Sequence, residues 1–369
     1  MKRESPSALR KLGHLSREVG VRVSSLWAGT GDTVMIFPGG GQGGTAAGLR
    51  GWSLAPPLRK LGFRVIVIPP QLELAQRQRL VAKESPDFLI FQKCRDPLND
   101  PAFFPQTPCI LDMDDADFLN PSATERITRI TGQCIAAVGG SAFVEAWLAQ
   151  YCPTTRVIWT GSPLAEVVSG AKIDPTSRTL VYAVSDILGF PQETAFVRDL
   201  AIACGPDSGI RLHLIGRGNR DSVLDFFAPV IRAGIPVDVT GWLPYEKLIE
   251  RVGRGAVGLA PLDTERSLAS KGKSFGKVLA YLAAGIPVLC SDAAEYPHFF
   301  RSGVNGYVLP GDHALWRDTI LALLADSGLR EQIVTAANRD FRERLSATTM
   351  AEQWSHLLLQ LKAKPGGSE

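Results

Sequence analysis

Short apolar segments alternate with helical segments along most of this chain, and this alternation restricts the fold more than any other feature. One series of strand candidates begins with T-V-M-I-F at 33–37 and ends with R-V-I-W at 156–159. A second series begins with T-L-V-Y-A-V at 179–184 and ends with P-V-L-C-S at 287–291. Strands that alternate with helices form parallel sheets, because each helix returns the chain to the edge where the previous strand began. We therefore predict an α/β protein with two Rossmann-like domains.

The polar segment G-A-K-I-D-P-T-S-R at 170–178 separates the two series and is typical of a linker. At 369 residues the chain also exceeds the length at which a single hydrophobic core keeps growing. We predict a first domain over 1–170, a linker over 171–178, a second domain over 179–345, and a C-terminal helix and tail over 346–369. We expect the helix to pack back on the first domain. Two domains of similar size would leave a cleft between them, which is the default ligand site.

Composition and residue spacing exclude several classes of protein. The net charge of +3 is too small for a nucleic-acid-binding surface. The six cysteines contain no C-x-x-C pair and the five histidines are dispersed, so neither set predicts a metal site. No apolar run reaches the roughly 20 residues that span a bilayer, and the N-terminus lacks the pattern of a signal peptide. We expect a cytoplasmic protein.

The first 30 residues are basic, with six lysines and arginines against two glutamates. Leu9, Leu12, Leu15 and Val19 recur within them at helical spacing, which predicts a short amphipathic helix. Such a helix either packs against the first domain or contacts an anionic membrane surface. Peripheral contact with the inner face of a membrane is therefore one of two open interpretations.

The segment over 271–308 places Lys273, Ser274 and Lys277 at the start of an apolar helix, within K-G-K-S-F-G-K-V-L-A-Y-L-A-A-G-I-P. The free N–H groups and the positive dipole end of a helix attract anions, and ammonium groups add charge. Packing of the helix does not require two lysines at this end, where cations oppose the dipole unless an anion is bound. We therefore predict a phosphate or diphosphate site.

A glycine-rich loop, F-P-G-G-G-Q-G-G-T over 37–45, follows the first strand. The glycines from Gly39 to Gly44 allow a ligand to approach the backbone closely. Their spacing fits G-x-G-x-x-G, but Pro69 stands after the second strand where a dinucleotide site requires an acidic residue. The loop either forms a tight turn or faces a ligand in the cleft.

Three carboxylates follow the strand at 109–111, namely Asp112, Asp114 and Asp115. Three carboxylates at the end of a strand either hold a divalent cation against a diphosphate or cap a neighbouring loop. In the second half, Arg217 follows a strand between two glycines and is a candidate phosphate contact or a surface residue. Trp242, followed by Leu243, either packs in the core or frames a planar base.

Residues 237–343 resemble the C-terminal half of GT-B-fold glycosyltransferases, specifically the large retaining group called family 4, or glycosyl transferases group 1. The resemblance runs through V-T-G-W-L-P-Y-E-K-L, A-V-G-L-A-P-L, K-S-F-G-K-V-L-A-Y-L-A-A-G-I-P-V-L-C-S-D and Y-P-H-F-F-R-S-G-V-N-G-Y-V. The first half matches only through the glycine-rich loop and L-D-M-D-D. The resemblance implies two Rossmann-like domains facing a cleft, with the nucleotide sugar on the second domain and the acceptor on the first.

The resemblance also implies roles for individual residues. Contacts with the donor diphosphate are implied at Lys273, Ser274, Lys277, Arg217, Gly40 and Gly41. The base is expected near Trp242 and Leu243, and the acceptor near Asp114 or Asp115. No bound metal or other cofactor is expected, because basic residues and a helix dipole stabilise the leaving nucleoside diphosphate.

Two departures from the family pattern concern carboxylates. The family usually has two glutamates eight residues apart, and here Gly272 and Ala280 stand at those positions. The resemblance as a whole implies a transferase that moves a sugar from a nucleoside diphosphate to a glycan or lipid-linked acceptor. Because these two glutamates are absent, we identify no catalytic residue. A non-catalytic relative that binds a nucleotide or a partner glycosyltransferase is the alternative, and a nucleotide-sugar epimerase is a further one.

Overall fold

The computed structural model describes residues 8–43, 46–166 and 174–363, with side chains described from residue 16 onward. It divides into two compact units, one formed by Met1–Thr160 with Ala347–Glu369 and the other by Gly161–Ser346. Each unit contains a six-stranded parallel sheet flanked by helices, which confirms the predicted α/β class with Rossmann-like domains.

The chain changes unit at 160/161, before residue 170, where the sequence places the end of the first domain. The short helix Pro163–Glu166 belongs to the second unit, where it packs against the helices that cover the second sheet. The first part of the predicted linker, together with Gly44 of the glycine-rich loop and the tail after residue 363, lies outside the described residues.

The sheet of the first unit has the strand order β2-β1-β3-β4-β5-β6. Its strands are β1 (Thr33–Phe37), β2 (Arg64–Val67), β3 (Phe88–Gln92), β4 (Cys109–Met113), β5 (Ala136–Gly139) and β6 (Thr155–Val157). Its helices include α1 (Ala8–Ser25), α2 (Ala55–Lys60), α3 (Leu74–Glu84), α4 (Pro121–Gln133) and α5 (Ala142–Leu148). All residues of the central strands β1, β3 and β4 are buried, as expected where helices cover both faces of a parallel sheet.

The sheet of the second unit has the order β12-β11-β10-β7-β8-β9. Its strands are β7 (Thr179–Asp186), β8 (Arg211–Arg217), β9 (Val237–Thr240), β10 (Val257–Ala260), β11 (Val288–Ser291) and β12 (Tyr307–Leu309). Its helices are α6 (Pro191–Cys204), α7 (Arg220–Phe226), α8 (Ala228–Arg232), α9 (Tyr245–Val252), α10 (Leu268–Lys271), α11 (Val278–Ala284), α12 (Tyr296–Phe299), α13 (His313–Ala325) and α14 (Ser327–Arg344). This is the strand order of a doubly wound sheet. Successive strands are added on one side of β7 up to β9 and on the other side from β10 onward, so the order reverses between β7 and β10.

The last helix, α15 (Ala347–Ala363), belongs to the first unit and packs beside α2. Its buried side chains Trp354 and Leu358 join Val34, Ile36 and Ile90 in one hydrophobic cluster. The alternate residues of β1 face a second cluster on the other side of the sheet, because successive strand side chains point to opposite faces. The C-terminal helix therefore covers one face of the first sheet.

An ion pair in the core of the first unit fixes the chain after the glycine-rich loop. A π-helical segment, Ala47–Trp52, carries Arg50, whose side chain is only 1% exposed. Its Nε and Nη2 donate to the two carboxylate oxygens of Asp112, and its Nη1 donates to the Ile158 carbonyl at 2.8 Å. The metal interpretation of Asp112 is therefore wrong, since this carboxylate is neutralised by an arginine inside the core.

We predict that Arg50→Met destabilises the protein by about 3–5 kcal/mol, because the Asp112 carboxylate is left buried without its cation. Chemical denaturation monitored by far-UV circular dichroism measures this change. Arg211→Met is the matched control, since it breaks an ion pair with Asp238 in which both side chains are 53% exposed. The control loss should be under about 1 kcal/mol. Equal losses in the two variants would contradict a structural role for the Arg50 pair.

Candidate functional site

The carboxyl ends of β7 and β10 form the place where a ligand is expected in the second sheet. From β7 the chain continues to β8 on one side, and from β10 it continues to β11 on the other. The connections after these two adjacent strands therefore diverge, which leaves a crevice at the point where the strand order reverses. Phe190 and Glu193 follow β7, Asp263 follows β10, and Lys273, Ser274 and Lys277 come from the segment before α11.

The segment over 272–277 is a turn between α10 and α11, which corrects the predicted helix start. The helix begins at Val278, Lys277 occupies its N-cap position, and Lys273 and Ser274 lie outside it. Gly272 and Gly276 interrupt the helical pattern here, because glycine loses more backbone entropy in a helix than other residues do. The predicted cations therefore lie in the turn before α11 and at its N-cap rather than within the helix.

Lys277 carries an enclosed ammonium group. Part of its side chain reaches solvent, but its Nζ is buried and has no hydrogen-bond partner among the described residues. This nitrogen lies 4.9 Å from the ring centroid of Phe190 and 5.7 Å from that of Tyr182. Burial, with repulsion from Lys273, lowers its pKa to about 8. A buried cation without a partner is unfavourable, so the arrangement favours binding of an anion.

Lys273 and Ser274 belong to the same turn as Lys277. The Nζ of Lys273 is 5.4 Å from the Phe190 centroid, so both ammonium groups contact one aromatic ring. The Oγ of Ser274 is buried and, within the described ranges, has no hydrogen-bond partner. Two cations and a hydroxyl donor that share a crevice match the chemistry of a phosphate or diphosphate.

Glu193 is a residue of this site that the sequence analysis missed. Its side chain is 1% exposed, and its Oε1 accepts hydrogen bonds from the Ser270 hydroxyl at 2.6 Å and from the Asp263 amide at 3.4 Å. In the sequence it follows Pro191 in the first turn of a helix, where an acidic residue is common for reasons of helix stability alone. No pattern in the sequence distinguishes it from such a residue.

The hydroxyl of Tyr281 fixes α11 above the crevice. It accepts a hydrogen bond from the Ala183 amide of β7 at 2.8 Å and donates to the Leu259 carbonyl of β10 at 3.0 Å. The Tyr281 ring also covers Gly258, where a Cβ atom would come within 2.6 Å of a ring carbon. The neighbouring Ala280 is buried and supplies no polar group to the site.

Arg217 and Trp242 form a second pair at the ends of β8 and β9. The guanidinium carbon of Arg217 lies 5.7 Å from the centroid of the Trp242 ring. Trp242 is 38% exposed, so the interpretation that it packs in the core is wrong, and Leu243 beside it is half-buried. An exposed arginine next to an exposed indole suits a planar or anionic ligand group. A role for this pair in binding a base or a phosphate stays a prediction.

The glycine-rich loop belongs to the first unit and has structural constraints of its own. The Gly39 amide donates to Gln92 Oε1 at 2.8 Å, and a Cβ atom on Gly39 would lie 2.7 Å from the Gln92 carbonyl oxygen. The Gly40 carbonyl accepts a hydrogen bond from Trp52 Nε1 at 3.2 Å. A Cβ atom on Gly41 would have nothing within 4 Å, so this position is open. Phosphate contacts at Gly40 and Gly41 remain predictions.

The carboxylates of Asp114 and Asp115 are ion-paired within the first unit. Lys93 Nζ lies 2.9 Å from Asp114 Oδ1 and 2.5 Å from Asp115 Oδ2, and Arg95 also contacts Asp115 at 3.4 Å. Burial alone would lower the pKa of Lys93, but these carboxylates outweigh burial and raise it. Over the described ranges, no group of three or more metal-ligating side chains has the geometry to hold a metal ion.

Comparison with known proteins finds similarity over part of the second unit. Residues 194–326 match the family described as Glycosyl transferases group 1. A phosphatidyl-myo-inositol mannosyltransferase from Mycobacterium leprae (strain TN) is 27% identical over 195 residues, which cover 48% of this chain and 48% of the relative. The match to this curated relative therefore spans about half of its length. The matched segment begins directly after Glu193 and contains Arg217, Trp242, Lys273 and Lys277.

Solved structures show the same fold at low sequence identity. HepE from Anabaena, in complex with UDP and glucose, has a TM-score of 0.66 and 17% identity, and the match covers 89% of this chain and 100% of HepE. Sucrose-phosphate synthase from Thermosynechococcus elongatus has a TM-score of 0.65 and 14% identity, with 91% and 100% coverage. A glycosyltransferase from Rickettsia africae has a TM-score of 0.64, 11% identity and 90% and 99% coverage. The fold is GT-B, as the resemblance of residues 237–343 predicted.

We predict that Lys277→Met stabilises the ligand-free protein, because methionine fills similar space without a buried charge. A gain of about 1 kcal/mol would raise the melting temperature by roughly 2–4 °C. The wild-type free energy of unfolding should also rise with pH between about 8 and 10.5, because there the folded protein has lost a proton that the unfolded chain keeps. Thermal unfolding at several pH values measures both effects.

Lys271→Met is the control for this stability prediction, since Lys271 is exposed on α10. It should change neither the melting temperature at neutral pH nor the dependence on pH. A Lys277→Met protein that melts below the wild type at pH 7 would show that the Lys277 ammonium is stabilising in the absence of ligand. That result would contradict the unpaired state of Lys277 described above.

Proposed function

We propose that the protein transfers a sugar, of the hexose type, from a nucleoside-diphosphate sugar to a glycan or lipid-linked acceptor. The single observation that carries the proposal is the enclosed, unpaired ammonium group of Lys277 at the reversal point of the second sheet. A diphosphate there would pair with this ammonium group and with Lys273, and it would accept a hydrogen bond from Ser274. The same groups would stabilise the charge that develops on the leaving nucleoside diphosphate.

The printed names of similar proteins support this choice of ligand and acceptor. HepE was solved with UDP and glucose, and with UDP-glucose, which makes uridine nucleotides the first donors to test. The Mycobacterium leprae relative is named as a mannosyltransferase acting on phosphatidyl-myo-inositol, which is a lipid. Retention of the anomeric configuration is proposed by analogy with the family resemblance. We place the reaction in synthesis of a bacterial-type surface polysaccharide or glycolipid, with no metal required.

The alternative is a nucleotide-binding relative without catalytic activity. It is favoured by Gly272 and Ala280, which stand where the family usually has two glutamates. Ala280 is buried, and its methyl side chain has no polar group to contact a ligand. Release of nucleoside diphosphate in the presence of an acceptor separates the two functions, because a non-catalytic protein would bind the donor without turning it over.

We predict that Lys277→Ala lowers nucleoside-diphosphate release from the preferred nucleotide sugar by about 100-fold or more, since it removes a charge-assisted contact worth about 1.5–3 kcal/mol and part of the leaving-group stabilisation. Lys271→Ala, on the exposed surface of α10, should keep wild-type activity. A coupled assay for the released diphosphate, run over UDP-, GDP- and ADP-sugars, measures this. Full activity of the Lys277→Ala protein would rule out the assigned site.

We further propose peripheral contact with an anionic membrane at the end of α1, consistent with a cytoplasmic protein. Leu26 and Trp27 are 78% and 81% exposed, more than any other large apolar side chain in the described part of the chain. Val19 and Val23 are also exposed, while Glu18 is turned inward and ion-paired with Arg79. This surface therefore combines apolar side chains with an interfacial tryptophan, and the sequence of the first 30 residues is basic. None of the described helices is both long and apolar enough to cross a membrane.

Co-sedimentation with lipid vesicles tests this surface. We predict that Leu26→Ser with Trp27→Ser lowers binding to phosphatidylglycerol vesicles at least about tenfold, because burial of two large apolar side chains is lost. Leu359→Ser, which replaces a 51% exposed leucine on α15, should bind like the wild type. Wild-type binding should fall as salt rises and be weak on phosphatidylcholine vesicles. Equal binding of wild type and double variant would contradict the assignment.

A further inference from the structure

Glu193 has one carboxylate oxygen engaged and one without a partner. Its Oε1 accepts hydrogen bonds from Ser270 and from the Asp263 amide, which fixes the orientation of the side chain. Its Oε2 is buried and has no hydrogen-bond partner among the residues that the structure describes. A buried carboxylate oxygen that makes no hydrogen bond is costly. The half-satisfied state of Glu193 therefore points to a donor that a ligand supplies.

Glu193 belongs to the same crevice as Lys277. It stands three residues after Phe190, whose ring lies 4.9 Å from Lys277 Nζ, and its charge acts on the Lys277 ammonium group. The ring of Tyr182, on β7, also borders this crevice, since its centroid lies 5.7 Å from Lys277 Nζ. The crevice thus combines a region of positive charge with one fixed acceptor of hydrogen bonds.

The chemistry of a carboxylate restricts what Glu193 is able to contact. It repels phosphate oxygens and accepts hydrogen bonds only from N–H and O–H groups. If the lysines hold the diphosphate of a nucleotide sugar, the groups attached to its two ends are sugars that carry hydroxyls. One of these is the ribose of the nucleotide, and the other is the sugar to be transferred.

On the basis of the proposed function, we infer that Glu193 Oε2 binds a sugar hydroxyl next to the donor diphosphate. The position of Glu193 differs from those of the two glutamates that the family pattern places at 272 and 280. Those positions are occupied by Gly272 and the buried Ala280, so the carboxylate comes instead from the first turn of α6. Glu193 thereby makes the site selective for a diphosphate that carries a sugar over inorganic pyrophosphate.

Binding of three probes to the wild type and to Glu193→Gln tests this inference by isothermal titration. The probes are pyrophosphate, UDP and UDP-glucose, with GDP and ADP and their sugars in place of the last two where they bind better. Glutamine keeps the shape and an acceptor for Ser270 while it removes the charge. Loss of a hydrogen bond to a charged group corresponds to about 10- to 100-fold in affinity.

We expect Glu193→Gln to bind pyrophosphate as well as or better than the wild type, because a negative charge near the phosphates is removed. Weaker binding of both UDP and UDP-glucose would assign the hydroxyl to the ribose. Weaker binding of UDP-glucose alone would assign it to the transferred sugar. Ser270→Ala, which leaves the carboxylate in place, should reduce nucleotide-sugar binding less than Glu193→Gln does.

Three results would overturn the inference. If Glu193→Gln binds all three probes with the same affinities as the wild type, Glu193 does not contact a sugar hydroxyl. If all three affinities fall together and the melting temperature falls with them, Glu193 is structural only. If the wild type binds neither pyrophosphate nor any nucleotide, the proposed function itself fails, and that outcome is distinct because it is seen before any variant is made.

Discussion

The hydrogen bonds of the Tyr281 hydroxyl join the two strands between which the second sheet reverses its order. These strands, β7 and β10, pair at Leu180–Val257 and Val181–Gly258, and a further link holds them together beyond these pairs. Tyr281 supplies it by contacting the backbone of β7 and of β10 from one side chain. Because Lys277 lies one turn earlier on the same chain segment, the position of its ammonium group depends on this link. The absence of a side chain at Gly258 is what allows the ring to lie against the sheet.

The two units contrast in how they treat buried lysine. In the first unit, the carboxylates of Asp114 and Asp115 pair with Lys93 and raise its pKa. The charge of this lysine is therefore balanced by the protein itself. In the second unit, Lys277 is enclosed by aromatic rings and its pKa is lowered to about 8. A buried lysine is thus ion-paired in one unit and without a hydrogen-bond partner among the described residues in the other, where we propose that it binds a ligand. The difference comes from the neighbours that the fold provides.

The fold class was predictable from the sequence because parallel strands that are buried on both faces consist of short apolar runs. The predicted runs at 33–37 and 179–184 lie close to the observed bounds of β1 and β7. Edge strand β12 was missed because its residues are only half-buried and its segment follows a glycine turn. The lysines of the candidate site were predicted because cations before a helix are unusual. Glu193 was missed because an acidic residue in a first helical turn is common. The partners of Asp112 and Asp114 are distant in sequence, at Arg50 and Lys93, so no local pattern could indicate them.

The place of α15 has a consequence for synthesis of the chain on the ribosome. Its residues Trp354 and Leu358 complete the hydrophobic cluster that begins with Val34 on the first strand. This face of the first sheet, which α2 covers in part, therefore lacks its α15 partner until the whole second unit has been translated. The second unit is continuous in sequence and has all its elements earlier. The unit that starts first is thus the one that finishes last, which reverses the usual N-terminal-first order of domain folding during translation.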